Sequence, residues 1–361
     1  MQHNDIRRKS THVIAGNVQI GGNAPISVQS MLTTDPHDAN ACIAMCRRLC
    51  DAGCDVIRMT IPDKQAIYVI DAIKQAGITA PLVADIHFDY RLALEACAAG
   101  IDKIRINPGN IGSDEHIHAV ASACATRHIP IRIGVNSGSL EKQLLATYGG
   151  PTAQALAESA LRHAALLEKF DFNDIVISVK SSNVRTMIQA NRILAQRCMY
   201  PLHLGVTEAG TRRVGAMKSA AGIGALLAEG IGDTIRVSLT DDPVLEVEDA
   251  RTLLEALALL PGGTVHIISC PTCGRTKIPL VTLVNEFERR ARQEIHRKTP
   301  IQVAIMGCAV NGPGEAREAD IGLAGGDGQA AIFRKNQILC RVRTEEAVDT
   351  LIRYINELPD E

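Results

Sequence analysis

The sequence predicts an α/β protein, a (β/α)8 TIM barrel followed by a small α+β domain. Three observations carry that expectation. Eight short runs rich in Ile and Val recur over roughly 215 residues, the span of a barrel rather than of an open doubly wound sheet. Most are followed by a stretch long enough for a helix, and several of these close on Gly, as at Gly53, Gly77, Gly100 and Gly230, the favoured residue after a helix end. The regular alternation then stops near Pro261-Gly262-Gly263.

The candidate barrel strands are Ile26–Leu32, Val56–Ile61, Leu82–Ile86, Lys103–Asn107, Ile131–Asn136, Asp174–Lys180, Leu202–Glu208 and Thr234–Leu239. Their near-continuous apolar character suits strands buried on both faces. Beyond the joint come a strand at Thr264–Ile268, a helix at Leu280–Ile295, a strand at Ile301–Met306 and a Gly-rich stretch. Short strands around Ile321–Leu323, Ala330–Arg334 and Ile338–Val342 precede a last helix, Thr344–Glu357. The expected division is residues 1–262 for the barrel and 263–361 for the α+β domain.

Composition narrows the function. The chain of 361 residues is 46% apolar, enough for a packed core, with a net charge of −2 and 3% aromatic residues including no Trp. Neither a basic surface nor a base-stacking platform is expected, so nucleic acid is an improbable partner. No apolar run reaches the ~18 residues of a membrane span, and Met1–Lys9 leads into no apolar signal segment; a cytoplasmic protein is expected. Its 11 cysteines should then be reduced and serve metal binding or packing.

Strand alternation sends residues i and i+2 to one face. Asp85 then shares a face with His87, Arg105 with Asn107, Arg132 with Gly134 and Asn136, Ser178 with Lys180, and Arg236 with Ser238. Arg58 lies between Ile57 and Met59, and Glu208 ends the seventh strand. The helix-facing side must be apolar, so these groups should point into the barrel near its C-terminal mouth, where barrel active sites form. Five cations (Arg58, Arg105, Arg132, Lys180, Arg236) meet two acids (Asp85, Glu208), an excess that an anion would neutralise. Arginine's planar donors suit phosphate oxygens, which points to a small polyphosphorylated ligand.

A metal centre is expected in the C-terminal domain. Cys270-x-x-Cys273 gives two thiolates on one turn, and Cys308 stands in Met306-Gly-Cys-Ala-Val-Asn-Gly-Pro-Gly-Glu315, an open loop whose amides can reach sulfur. The fourth ligand is either Cys340, whose Gln337–Val342 context alternates like an ordinary strand, or Glu315, which closes the loop near Cys308. A carboxylate would hold its iron more weakly and leave it free to exchange for substrate oxygen. Zinc completed by His266 or His296 is the competing metal. The Cys42, Cys46, Cys50 and Cys54 run has helical spacing and reads as core packing.

Both domains resemble the bacterial two-domain 4-hydroxy-3-methylbut-2-enyl diphosphate synthases of the methylerythritol phosphate route to isoprenoids. The resemblance rests on Cys270-Pro-Thr-Cys-Gly-Arg-Thr276, Met306–Ala316, Leu204-Gly-Val-Thr-Glu-Ala-Gly210 and Gly230–Leu239. It implies a [4Fe–4S] cluster on Cys270, Cys273, Cys308 and Glu315, and reductive ring opening of 2-C-methyl-D-erythritol 2,4-cyclodiphosphate. It implies substrate contacts from Arg58, Asp85, His87, Arg105, Asn107, Arg132, Asn136, Lys180, Arg236, Ser238 and Asn311. Glu208 falls on the acid/base position, and Glu315 is the ligand that substrate displaces. Reduced flavodoxin or ferredoxin would supply electrons, and in a homodimer the cluster domain of one subunit would cap the partner barrel. A zinc-dependent barrel lyase or hydrolase, and a non-catalytic iron–sulfur sensor, are the competing readings.

Overall fold

A computed structural model describes residues 7–260, 262–263, 265–308, 319–326, 328–335 and 337–360. The chain divides into two compact units, residues 1–259 and 260–361.

The first unit is an eight-stranded parallel barrel: β3 (Ser27–Met31), β4 (Val56–Thr60), β5 (Leu82–Asp85), β6 (Lys103–Ile106), β7 (Ile131–Asn136), β8 (Ile175–Lys180), β9 (His203–Leu204) and β10 (Thr234–Ile235). Neighbours in sequence are neighbours in the ring, β10 pairs with β3, and one bridge between Ile177 and Leu202 nearly closes it. All eight predicted strands are present. The seventh and eighth are regular for only two residues each; just past the seventh, Gly205 leaves no room for a side chain, since a Cβ there would come within 2.9 Å of Lys180 Nζ and of the Arg236 carbonyl.

The intervening helices begin where short polar side chains cap free amides. Asp38, Asp63, Asp89, Asn183 and Asp242 each accept a backbone N–H from the first turn. In the helix Ala39–Asp51, Cys42 and Cys46 are buried and Gly53, at φ +88°, follows its end. Burial pushes the Cys46 and Cys54 thiols up to about 12, as inert packing groups require.

One element was not anticipated. β1 (His12–Ala15) and β2 (Val18–Gly21) form an antiparallel hairpin whose Val13, Ala15 and Ile20 pack on Val176 of β8. The signal was present: Gly16-Asn17 is a two-residue hairpin loop, with Gly16 at φ +55°.

The second unit holds a five-stranded sheet in the order β11 (Val265–Ser269), β12 (Ile301–Met306), β13 (Ile321–Gly325), β14 (Gln329–Arg334) and β15 (Gln337–Arg343). The first three strands run parallel, and the last two are added antiparallel. Helices Leu280–Glu294 and Ala347–Glu357 cover the sheet. Leu283, Phe287, Val303, Ile305, Leu323, Leu351 and Ile355 share its main core, in keeping with the 3–4 spacing of apolar residues along each helix. Cys340 of β15 packs against this core.

Candidate active site

Arg58, Arg105, Arg132, Asn136, Lys180, Arg236 and Ser238 line a single recess, together with Gly134, Ser178 and Thr207. The recess holds about 390 Å³ of empty space, part of it open to solvent. Its walls come from the inner faces of β4, β6, β7 and β8 and from the segments just past β9 and β10, as side-chain alternation in a barrel arranges. Gly134 matters to the fit: a Cβ there would lie 2.4 Å from Arg105 Nε, so only glycine lets the guanidinium lie flat against β7.

Asp85 lies beneath these cations at 1% exposure. It accepts from Arg58 Nη2 at 2.9 Å and from Arg105 Nη1 at 3.0 Å. Burial alone would push its carboxyl up, but Arg58, Arg105, His87 and Arg132 outweigh burial and hold it at about 2. Burial lowers Arg58 to about 10, with Asp85 opposing and Arg236 and Arg105 adding to the effect. Lys180 is lowered well below the ordinary lysine value by burial and by Arg236, Arg132 and Arg58. Arg132 is lowered likewise, by burial and by Arg58 and Arg105. The recess therefore carries charge that its own acids do not offset, the condition that favours a bound anion.

Two predicted residues lie at the margin. His87 has a side chain 48% exposed, with Nε2 3.8 Å from Asp85 Oδ2 and 3.4 Å from Arg105 Nη1. Asn107 is buried, and its Oδ1 caps a short turn by accepting from Gly109 N at 3.2 Å. It is not among the recess-lining residues.

The expected charge balance changes in one respect. Glu208 is exposed, at a left-handed φ of +52°, and makes no ion pair among the described residues. The second buried acid is Glu246, which sequence reasoning missed. It sits in the first turn of the helix Pro243–Ala256 and receives Arg236 Nε at 3.1 Å and Nη2 at 3.2 Å. Its remaining acceptor capacity takes Ser30 Oγ at 2.9 Å and Leu239 N at 3.0 Å. Five lining cations against Asp85 and Glu246 still leave an excess of three.

In the C-terminal unit, Cys270 and Cys308 follow the ends of the neighbouring parallel strands β11 and β12, where Ser269 is in register with Ile305. Gly307 N donates to Cys270 Sγ at 3.2 Å. Thr276 Oγ1 accepts from Cys273 N at 3.2 Å, and Lys277 N donates to the Gly307 carbonyl at 2.8 Å. The Cys270–Lys277 loop is thus laced onto the residue preceding Cys308. Cys273 is exposed, and a backbone hydrogen bond from Arg275 lowers its thiol. Among the described residues no three His, Cys, Asp or Glu side chains stand close enough to hold one metal ion. The donors here, thiols carried past two neighbouring strand ends with a backbone amide already on one sulfur, suit an iron–sulfur group. Asn311 and Glu315 lie outside the described residues.

Comparison with known proteins settles the family. Residues 10–251 match the GcpE TIM-barrel domain, and residues 266–357 match the GcpE protein C-terminal domain. The chain belongs to the GcpE family. It is 54% identical over 356 residues to the 4-hydroxy-3-methylbut-2-en-1-yl diphosphate synthase (flavodoxin) of Caldanaerobacter subterraneus subsp. tengcongensis, covering 99% of each chain. It is also 54% identical over 352 residues to the enzyme of the same name from Clostridium perfringens, covering 98% of this chain and 99% of that one. As a GcpE protein this chain is an enzyme.

The GcpE barrel also resembles more distant solved structures. A type I 3-dehydroquinate dehydratase from Clostridium difficile superposes with a TM-score of 0.52 at 14% identity, over 69% of this chain and 98% of that one. A phospho-2-dehydro-3-deoxyheptonate aldolase from Thermotoga maritima gives 0.50 at 15% identity, over 70% and 75%. At such identities the likeness speaks to the barrel fold alone.

Proposed function

We propose that this GcpE enzyme converts 2-C-methyl-D-erythritol 2,4-cyclodiphosphate to 4-hydroxy-3-methylbut-2-enyl diphosphate by two-electron reductive ring opening and loss of water. The observation that carries the reading is the recess itself, where four guanidiniums and an ammonium from separate strands face one cavity with too few acids. A compact ligand bearing two linked phosphates meets that charge, and planar arginine donors can hold its oxygens in pairs.

The barrel residues divide the work. Asp85 stays ionised and fixes Arg58 and Arg105, so both present donors without reorganising when substrate arrives. Glu246 does the same for Arg236. Asn136, Ser178 and Ser238 supply neutral donors and acceptors for hydroxyl and phosphate oxygens. Asn107 and His87 support the rim, and Asn311 would add a contact from the C-terminal loop. Glu208, exposed just beyond Thr207, would hand a proton to the departing C3 hydroxyl.

Cys270, Cys273, Cys308 and Glu315 would hold a [4Fe–4S] cluster. When bound, it would relay two electrons one at a time and supply a Lewis-acidic iron. Reduced flavodoxin, or ferredoxin in its place, fits as the donor, since the relatives' names specify flavodoxin. A cytoplasmic homodimer in which one cluster domain caps the partner barrel would bring electrons and substrate together.

Anaerobic turnover tests the reading. The purified enzyme, with reduced flavodoxin and the cyclic diphosphate, should release the linear hydroxymethylbutenyl diphosphate. Tight binding of the cyclic diphosphate without turnover under reductant would favour a sensor instead.

A further inference from the structure

Beneath the recess the barrel interior is polar and incompletely satisfied. Lys103 lies two residues before Arg105 on the inner face of β6 and is fully buried. Gln29 faces inward from β3, because the next residue, Ser30, points the other way to Glu246 and the Pro243 carbonyl. His203 of β9 faces inward as Gly205 does, two residues on, where Lys180 crosses. Lys103 Nζ, Arg132 Nε and Nη1, both ring nitrogens of His203 and both amide atoms of Gln29 are buried with no hydrogen-bond partner among the described residues. Groups of this kind are paired in nearly all native structures, so something outside the chain's own atoms must meet them.

Two features decide what that is. The first is an excess of donors: Lys103 and Arg132 can only donate, while Gln29 and His203 offer one acceptor each. The second is charge. Arg132 acts on Lys103 electrostatically, and His203 feels both. Asp85 is already taken by Arg58 and Arg105, and Glu246 by Arg236, Ser30 and Leu239. No carboxylate among the described residues bonds to either Lys103 or Arg132.

We propose that a small inorganic anion of halide size occupies the barrel interior below the recess, bound between Lys103 Nζ and the Arg132 guanidinium, with Gln29 and His203 completing its shell. Arg132 also lines the recess, so the ion enters past that side chain and fixes it from below. Burial and then Arg132 lower Lys103 to about 7; a bound anion would restore its charge. The assignment is independent of which phosphorylated compound binds above.

The competing occupant is water against a neutral Lys103. Crystals of the anaerobically purified full chain, grown in bromide and measured at the bromine absorption edge, distinguish the two. The expected result is an anomalous peak within hydrogen-bond reach of Lys103 Nζ and Arg132. Bromide peaks at the surface only, or ordinary water density at Lys103, would overturn the proposal. In solution, bromide should raise the thermal midpoint relative to gluconate at equal ionic strength, and Lys103→Met should abolish that increment. An increment that survives in Lys103→Met would equally overturn it. The crystallographic result stands on the wild-type protein, should the variant fail to fold.

Discussion

In the barrel, Asp85 holds Arg58 and Arg105 at 2.9 and 3.0 Å, and Glu246 grips Arg236 at two points. In the C-terminal unit, Cys273 is exposed and Cys270 receives one backbone amide at 3.2 Å. The first region is built from side chains ordered by the protein itself, with charge in excess. The second is a loop on two strand ends whose thiols have few protein partners. The contrast teaches that preorganisation for an anion can be complete before the ligand binds, because cations and acids order one another. A thiolate site takes its final order from the metal it holds.

Substitutions on the two sides should therefore fail differently. Cys308→Ala should remove all turnover and most of the bound iron while leaving binding of the cyclic diphosphate unchanged, as iron analysis and calorimetry would show. Parallel loss of substrate binding would break the contrast. Glu208→Gln should keep substrate affinity and lower kcat by about 10²–10⁴-fold, the usual contribution of a general acid; a wild-type rate would remove Glu208 from proton transfer.

Asp85→Asn should cost about 3–5 kcal/mol in denaturant unfolding, since it leaves two buried guanidiniums without their carboxylate. The same residue makes a pH prediction. Its folded pKa of about 2 lies below the unfolded value, so its contribution is complete above about pH 4. That contribution, about 2 kcal/mol, is lost as pH falls through 2. Wild type should lose this increment on acidification and Asp85→Asn should not, so the gap between their unfolding midpoints narrows. The smallest effect belongs to Cys340→Ser. Cys340 packs against the main core of its domain, so iron content and spectrum should be unchanged, with stability lower by about 1 kcal/mol. Loss of iron would make Cys340 the fourth ligand in place of Glu315.

Much of this was legible in the sequence because barrel strands leave a simple imprint. Ile and Val mark the face under the helices, and the intervening residue is free to be charged, so Arg105, Arg132, Lys180 and Arg236 stand out. What escaped has physical reasons. Lys103 opens its strand and looks like an edge residue until alternation is carried back from Arg105, which places it on the inner face. His203 lies in a strand regular for only two residues. Glu246 belongs to a helix, and nothing in its local spacing says that it turns back onto the eighth strand. The hairpin at His12–Gly21 was signalled by Gly16-Asn17, but a barrel reading gives no reason to look before the first strand. Of the proposed cluster ligands, Cys270 and Cys273 stood out by their C-x-x-C spacing and Cys308 by its Gly-rich loop. Glu315 is one acid among many and rests on its place in the Gly-rich loop.

On the proposed reading, three thiols and one weaker ligand hold an iron–sulfur cluster serving a diphosphate bound in the cationic recess. Its most direct test is metal and sulfide analysis of the anaerobically purified protein, with absorption spectra before and after addition of 2-C-methyl-D-erythritol 2,4-cyclodiphosphate. The protein should be brown, with iron and inorganic sulfide in equal amounts, and its spectrum should change when the cyclic diphosphate binds. A colourless protein carrying zinc, or a cluster spectrum that stays fixed while the ligand saturates the recess, would contradict it.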